Sequence, residues 1–171
     1  MVAEVMGSHV GWIALHAGMA AGAHVICIPE VPMSLDEIAA LVTSANDRGR
    51  APLVVVSEGF KLKDMEEAYS DKGLDAFNRP RLGGIGDLLA PEIERLTGIE
   101  TRATILGHIQ RGGAPSAFDR VLATRLGMHA ADAVVDGAWG QMVALHGTEI
   151  VRVPFADALG ELNTVPRNRY D

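Results

Sequence analysis

His108 and Arg111 stand three residues apart in a glycine-rich run, Leu106-Gly107-His108-Ile109-Gln110-Arg111-Gly112-Gly113. Arginine offers a planar fork of donors that suits phosphate oxygens. Histidine adds a donor whose charge responds to a nearby anion. A tight turn would bring both side chains to one side, and the glycines would let backbone approach a ligand closely. Arg102, upstream on the same strand-like stretch, would add a third cationic group. Together these residues read as a phosphate cradle. They also fit an ordinary strand-to-helix connection with a surface arginine and a capping histidine, because turn glycines are common.

The elements on either side must position that run. Residues 101–106 read as a strand, and a long helical pattern begins at Ser116. A strand that ends in a turn before a helix is where α/β proteins place ligand groups. Upstream, residues 2–5 read as a strand, followed by Gly7 and by Ser8 as an N-cap. Trp12, Ile13, Leu15, His16, Met19 and Ala20 recur at helical spacing up to Gly22, with His16 as a satisfied histidine at the core edge. Residues 25–28 form a short apolar strand before Pro29. Ser34 and Glu37 have capping-box spacing, and Leu35, Ile38, Ala39, Leu41 and Val42 continue a helix to about Asn46. Residues 52–56 are continuously apolar, as expected of a parallel strand buried on both faces, and lead into Ser57-Glu58-Gly59. This alternation indicates βαβ units.

Residues 60–84 break the pattern. They are rich in charge and read as an exposed, partly helical excursion. Ile85, Leu88, Leu89, Ile93 and Leu96 then mark a helix that stops at Gly98, with Pro91 as a kink or restart. Ser116 caps the longest helix, whose stripe is Phe118, Val121, Leu122, Leu126, Ala130, Ala133 and Val134. Asp119 and Arg120 read as a surface charge pair, and Gly127 as a point of close contact. Residues 142–145 and 150–153 suit a hairpin around His146-Gly147, and a short helix and open tail follow from Pro154.

Composition narrows the function. Of 171 residues, 48% are hydrophobic and only 5% aromatic, which fits an aliphatic α/β core. The net charge of −7, with no basic block, argues against nucleic acid or an anionic membrane as the main partner. The single cysteine, Cys27, rules out a disulfide framework and a cysteine-rich metal site. No signal peptide or membrane span stands out, so a reducing cytoplasm is the expected compartment.

Residues 100–115, Glu-Thr-Arg-Ala-Thr-Ile-Leu-Gly-His-Ile-Gln-Arg-Gly-Gly-Ala-Pro, followed by Phe118-Asp119-Arg120, resemble 6-phosphofructokinases. Val5-Met6-Gly7 and Glu58 extend the likeness, which runs over essentially the whole chain. Leu82-Gly83-Gly84-Ile85-Gly86-Asp87 resembles the bacterial branch whose members use ATP or pyrophosphate. The resemblance implies a Rossmann-like three-layer α/β sandwich with a mostly parallel sheet, the second half of a two-domain fold. Residues 1–109 would form the sugar-phosphate domain, 110–158 would return to the donor domain, and 159–171 would be a tail.

The resemblance also implies an activity: transfer of a phosphoryl group from ATP or pyrophosphate, with Mg²⁺, to the 1-hydroxyl of fructose 6-phosphate in glycolysis. His108 and Arg111 would bind the 6-phosphate, and Arg102 would reach that phosphate in a neighbouring subunit of a dimer or tetramer. Glu58 would accept from sugar hydroxyls, and Met6 and Gly7 would line the sugar site. Two departures matter. Ser8 stands where the family has an arginine near the phosphoryl groups, and the donor loop, metal ligands and catalytic aspartate would lie before Met1. The alternative is a non-catalytic, sugar-phosphate-binding or regulatory half-subunit. Bacterial members often carry an effector site between subunits, and His24 and Arg48 to Arg50 fall in the corresponding region.

Overall fold

The computed structural model of the chain describes residues 1–63 and 83–171. It separates into two compact units, Met1–Arg111 with Asn163–Asp171, and Gly112–Leu162. In the first unit, β1 (Val2–Val5), α1 (Trp12–Ala21), β2 (Val25–Cys27), α2 (Leu35–Asp47), β3 (Val54–Ser57), α3 (Ile85–Thr97) and β4 (Ala103–Ile105) follow in order. The four strands form one parallel sheet in the order β2-β3-β1-β4. Every residue of β3 is buried, as its unbroken apolar run predicts for a strand covered on both faces.

Side chains alternate across a strand, so successive residues join different layers. Val54 and Val56 pack with Ile38 and Val42 of α2 and with Leu89 and Ile93 of α3. Val55, between them, packs with Ala14 and Leu15 of α1 and with Val165 of the tail. The result is three layers: α1 and the tail, the sheet, and α2 with α3. Cys27 is fully buried in the α2–α3 layer, and burial pushes its thiol up to about 12.

Local chemistry explains the helix starts. Ser34 and Glu37 form both halves of the predicted capping box at α2. The start of α3 is held differently. Glu4, in the central strand and only 2% exposed, accepts from the backbone N–H of Gly84 at 2.9 Å and of Gly86 at 2.8 Å. A carboxylate thus meets the positive end of a helix, and its own burial is compensated.

Several expectations need correction. Ser8 is no N-cap: Gly11 stands before α1, and Ser8 adopts φ 52° in the turn ahead of it. The buried face of α1 is Ala14, Leu15 and Gly18, whereas Ile13 and Met19 are exposed. His16 is exposed too, tilted against Trp12 with ring centroids 5.7 Å apart, because small residues of α1 are what fit against the sheet. Pro91 marks no restart, because α3 runs through it without a break from Ile85 to Thr97. Of the charged excursion, residues 64–82 lie outside the described residues, while Phe60 and Leu62 at its start are buried.

The tail is not open. Asn163 accepts at its carbonyl from Trp12 Nε1 at 2.7 Å, Val165 N–H donates to Glu30 Oε1 at 2.9 Å, and the Tyr170 hydroxyl donates to the Ile26 carbonyl at 2.7 Å. The second unit holds α4 (Ala117–Val135), β5 (Gln141–His146), β6 (Glu149–Pro154) and α5 (Phe155–Ala158). β5 and β6 form the expected antiparallel hairpin. A last helix, α6 (Arg167–Tyr170), belongs to the first unit. Asp119 does not pair with Arg120 but completes a capping box with Ser116. A side chain on Gly127 would meet nothing within 4 Å, so no close contact explains that glycine. No residue of α4 is buried, and Ile150 alone is buried among the described residues of this unit.

Candidate functional site at the strand ends

Parallel strands place their C-terminal ends on one edge of the sheet, which is where ligands bind in open α/β folds. Here β3, β1 and β4 are neighbours, so the chain following each emerges side by side: Glu58 after β3, Met6 to Ser8 after β1, and residues 106–111 after β4. The N–H of Glu58 donates to the Val5 carbonyl at 2.9 Å, and that of Leu106 to the Glu4 carbonyl at 3.1 Å. Both bonds carry the sheet's order into the loops.

Residues Gly107–Arg111 form a 3₁₀ turn. With three residues per turn, positions three apart eclipse, so His108 and Arg111 come to the same side as their spacing predicts. Both are exposed, and among the described residues neither has an acidic partner within salt-bridge distance. A guanidinium and an imidazole on one side of a turn offer N–H donors that can hold a phosphate.

Glu58 faces the loop after β1. Its Oε1 accepts from the N–H of Gly7 at 3.2 Å and of Ser8 at 2.9 Å. Its Oε2 makes no hydrogen bond with the described residues and can accept from a ligand hydroxyl. The loop is close-packed. A Cβ on Gly7 would lie 2.5 Å from the Val10 carbonyl oxygen and 2.9 Å from Ser57 Oγ. One on Gly59 would sit 1.8 Å from the Ser8 carbonyl oxygen, so no side chain fits there. Ser57 is fully buried, and its hydroxyl has no hydrogen-bond partner among the described residues.

Arg102 does not join this cluster within one chain. It precedes β4, at the opposite end of the strand, and pairs with Glu100 at 2.7 Å. The reason is geometric: an extended strand rises about 3.3 Å per residue, which carries Arg102 away from the turn. Sequence reasoning also missed Gln110, whose Oε1 accepts from Met6 N–H at 2.8 Å. Its offset of two from His108 was the available signal. His24 and the arginines form a separate feature: Gly22, His24, Arg48, Arg50 and Ala51 line a surface cavity of about 560 Å³. Among the described residues no group of three His, Cys, Asp or Glu could hold a metal ion, and no helix is long and apolar enough to cross a membrane.

The layered parallel sheet and its strand-end site define an α/β protein of the doubly wound kind. The family model described as Phosphofructokinase matches residues 1–134, and the chain belongs to that family. It is 53% identical over 171 residues to a pyrophosphate–fructose 6-phosphate 1-phosphotransferase of Streptomyces coelicolor. It is 49% identical over 172 residues to an ATP-dependent 6-phosphofructokinase of Mycobacterium bovis. Each alignment covers 100% of this chain and 50% of the relative, so the chain spans half the length of these relatives. A crystal structure of Pichia pastoris phosphofructokinase in the T-state superposes with a TM-score of 0.68 at 36% identity, covering 93% of this chain and 17% of that one. A pyrophosphate-dependent phosphofructokinase from Marinobacter aquaeolei shares the fold, with a TM-score of 0.75 over 98% of this chain and 42% of that one.

Proposed function

We propose that this chain supplies the acceptor side of a 6-phosphofructokinase, which transfers a phosphoryl group from ATP or pyrophosphate to the 1-hydroxyl of fructose 6-phosphate. The observation that carries the reading is what gathers at the ends of the neighbouring strands β3, β1 and β4: a His108–Arg111 pair without an acidic partner among the described residues, and a Glu58 carboxylate whose Oε2 makes no hydrogen bond with them. Arg111 and His108 would hold the 6-phosphate, Glu58 Oε2 would accept from a sugar hydroxyl, and the backbone of Met6 and Gly7 would line the sugar. Such transfer depends on alignment of acceptor and donor and on neutralisation of phosphate charge. Ser8 brings no charge to that task. By the family resemblance, the metal ligands, donor site and base would come from the half of the relatives that this chain does not match. Arg102, on an exposed strand end, would serve a neighbouring copy in a homo-oligomer. The His24, Arg48 and Arg50 cavity would take an anionic effector.

The test is fructose 6-phosphate binding by calorimetry with wild-type and Arg111→Ala chains. Loss of a charge-assisted contact worth about 1.5–3 kcal/mol should weaken binding by roughly ten- to a hundredfold. Unchanged affinity would sink the acceptor site. A second reading, a sugar-phosphate-binding half without catalysis, is favoured by Ser8, which stands where the family has an arginine. Mixing this chain with the amino-terminal half of the Streptomyces relative separates the two, because only the first reading expects turnover.

A further inference from the structure

Gln110 sits between His108 and Arg111 in the turn yet does something different from both. The 3₁₀ geometry that eclipses His108 with Arg111 turns a residue two positions on by about 240°. Gln110 therefore leaves the cationic side and reaches inward. It is half-buried, whereas His108 and Arg111 are exposed. Its Oε1 receives the N–H of Met6 at 2.8 Å. The next two amides of that loop, Gly7 and Ser8, go to Glu58 Oε1. Three consecutive N–H groups are thus held by two side chains, one from the turn after β4 and one from the end of β3. Past Leu106, whose N–H still bonds to Glu4, Gln110 makes the one hydrogen bond among the described residues between the turn and the loop after β1.

We infer that Gln110 is a positioning residue that couples the phosphate end of the acceptor site to its hydroxyl end through the Met6–Gly7–Ser8 backbone. The inference rests on the acceptor-site reading above. Its ligand is a phosphorylated sugar, which must touch both ends at once. Inorganic phosphate touches only the cationic end. An amide that aligns the two ends should therefore matter to the first ligand and hardly to the second. A side chain that merely satisfied Met6 N–H for the sake of the fold would affect both alike.

The experiment measures the affinities of the 171-residue chain for fructose 6-phosphate and for inorganic phosphate, and takes their ratio. Gln110→Ala should weaken the sugar phosphate by roughly tenfold, the value of about one hydrogen bond, and move inorganic phosphate by less than about twofold. Gln110→Glu keeps the acceptor oxygen and adds a negative charge beside Arg111. It should weaken both ligands by a similar factor and restore the wild-type ratio. An unchanged ratio in Gln110→Ala overturns the inference, and so does an altered ratio in Gln110→Glu. Thermal melting checks that each variant folds. If the alanine variant does not, Gln110→Met, with similar length and no amide oxygen, is judged by the same ratio, and failure of both to fold overturns the inference. Failure of the underlying reading looks different: the wild-type chain binds neither ligand, or Arg111→Ala changes neither affinity.

Discussion

Helices α2 and α4 begin alike and end up in opposite surroundings. Each opens with a serine whose hydroxyl accepts from the third residue's N–H and whose own N–H is received by that residue's carboxylate. Each carries an apolar stripe. Yet α2 buries Ile38, Ala39, Val42 and Ala45, while α4 buries nothing, with Phe118 67% and Val121 59% exposed. Capping is settled by a few neighbouring residues, but burial needs a surface to pack on. The sheet supplies that surface for α2. In the second unit a two-stranded hairpin cannot, and Phe118, Val121, Met128 and Val134 stand exposed.

The sharpest way to break this contrast is to cut a side chain from each stripe. Ile38→Ala, at a fully buried position, should cost about 2–5 kcal/mol in urea unfolding. Phe118→Ala should fall within about 0.5 kcal/mol in this chain alone. Equal costs would mean that the α4 stripe is covered in solution.

A smaller effect tests how the first unit holds a helix without a serine cap. Glu4→Ala removes an acceptor from Gly84 and Gly86 at the start of α3. The expected loss is about 1.5–3 kcal/mol for a buried, charge-assisted contact, read by the same unfolding curve. Glu4→Gln should recover part of it. No loss in either variant would show that α3 is anchored by its apolar face alone.

The smallest effect is titration of the two caps. The Lys63 ammonium beside Glu37 and the Ser34 backbone N–H hold that carboxyl below its ordinary value. The Ser116 backbone N–H and hydroxyl do the same for Asp119. A lowered folded-state pKa means that each contribution is complete above the unfolded value and disappears as pH falls through the folded one. The difference in melting temperature between wild type and Asp119→Ala should therefore close as pH drops below about 3.8, the ordinary aspartate value. A difference that persists under acid would mean the cap does not depend on the charge.

Patterns read within a few residues were recovered well. The Ser34 box, the buried run of β3 and the hairpin all follow from local spacing. What failed depended on partners distant in sequence. The wrong face was assigned to α1 because Gly18 looks neutral until Ile26 is known to lie against it: a Cβ there would come within 2.7 Å of the isoleucine side chain. The role of Glu4 follows the same rule, because the glycines whose N–H groups it accepts lie far along the chain. The offset of Gln110 from His108 could point to an inward side chain, but not to its partner, Met6, which lies far back in the sequence.

The return of the tail has a consequence for how the molecule is made. The first unit is written in two pieces, 1–111 and 163–171, with the whole second unit between them. Chains emerge from the ribosome amino-terminus first, at about 5–20 residues per second. The sheet therefore appears early, while Trp12, Glu30 and Ile26 wait for Asn163, Val165 and Tyr170. Until residues 163–171 emerge, one face of the sheet lacks part of its covering, and a nascent chain paused before them would be the form most open to chaperones and proteases.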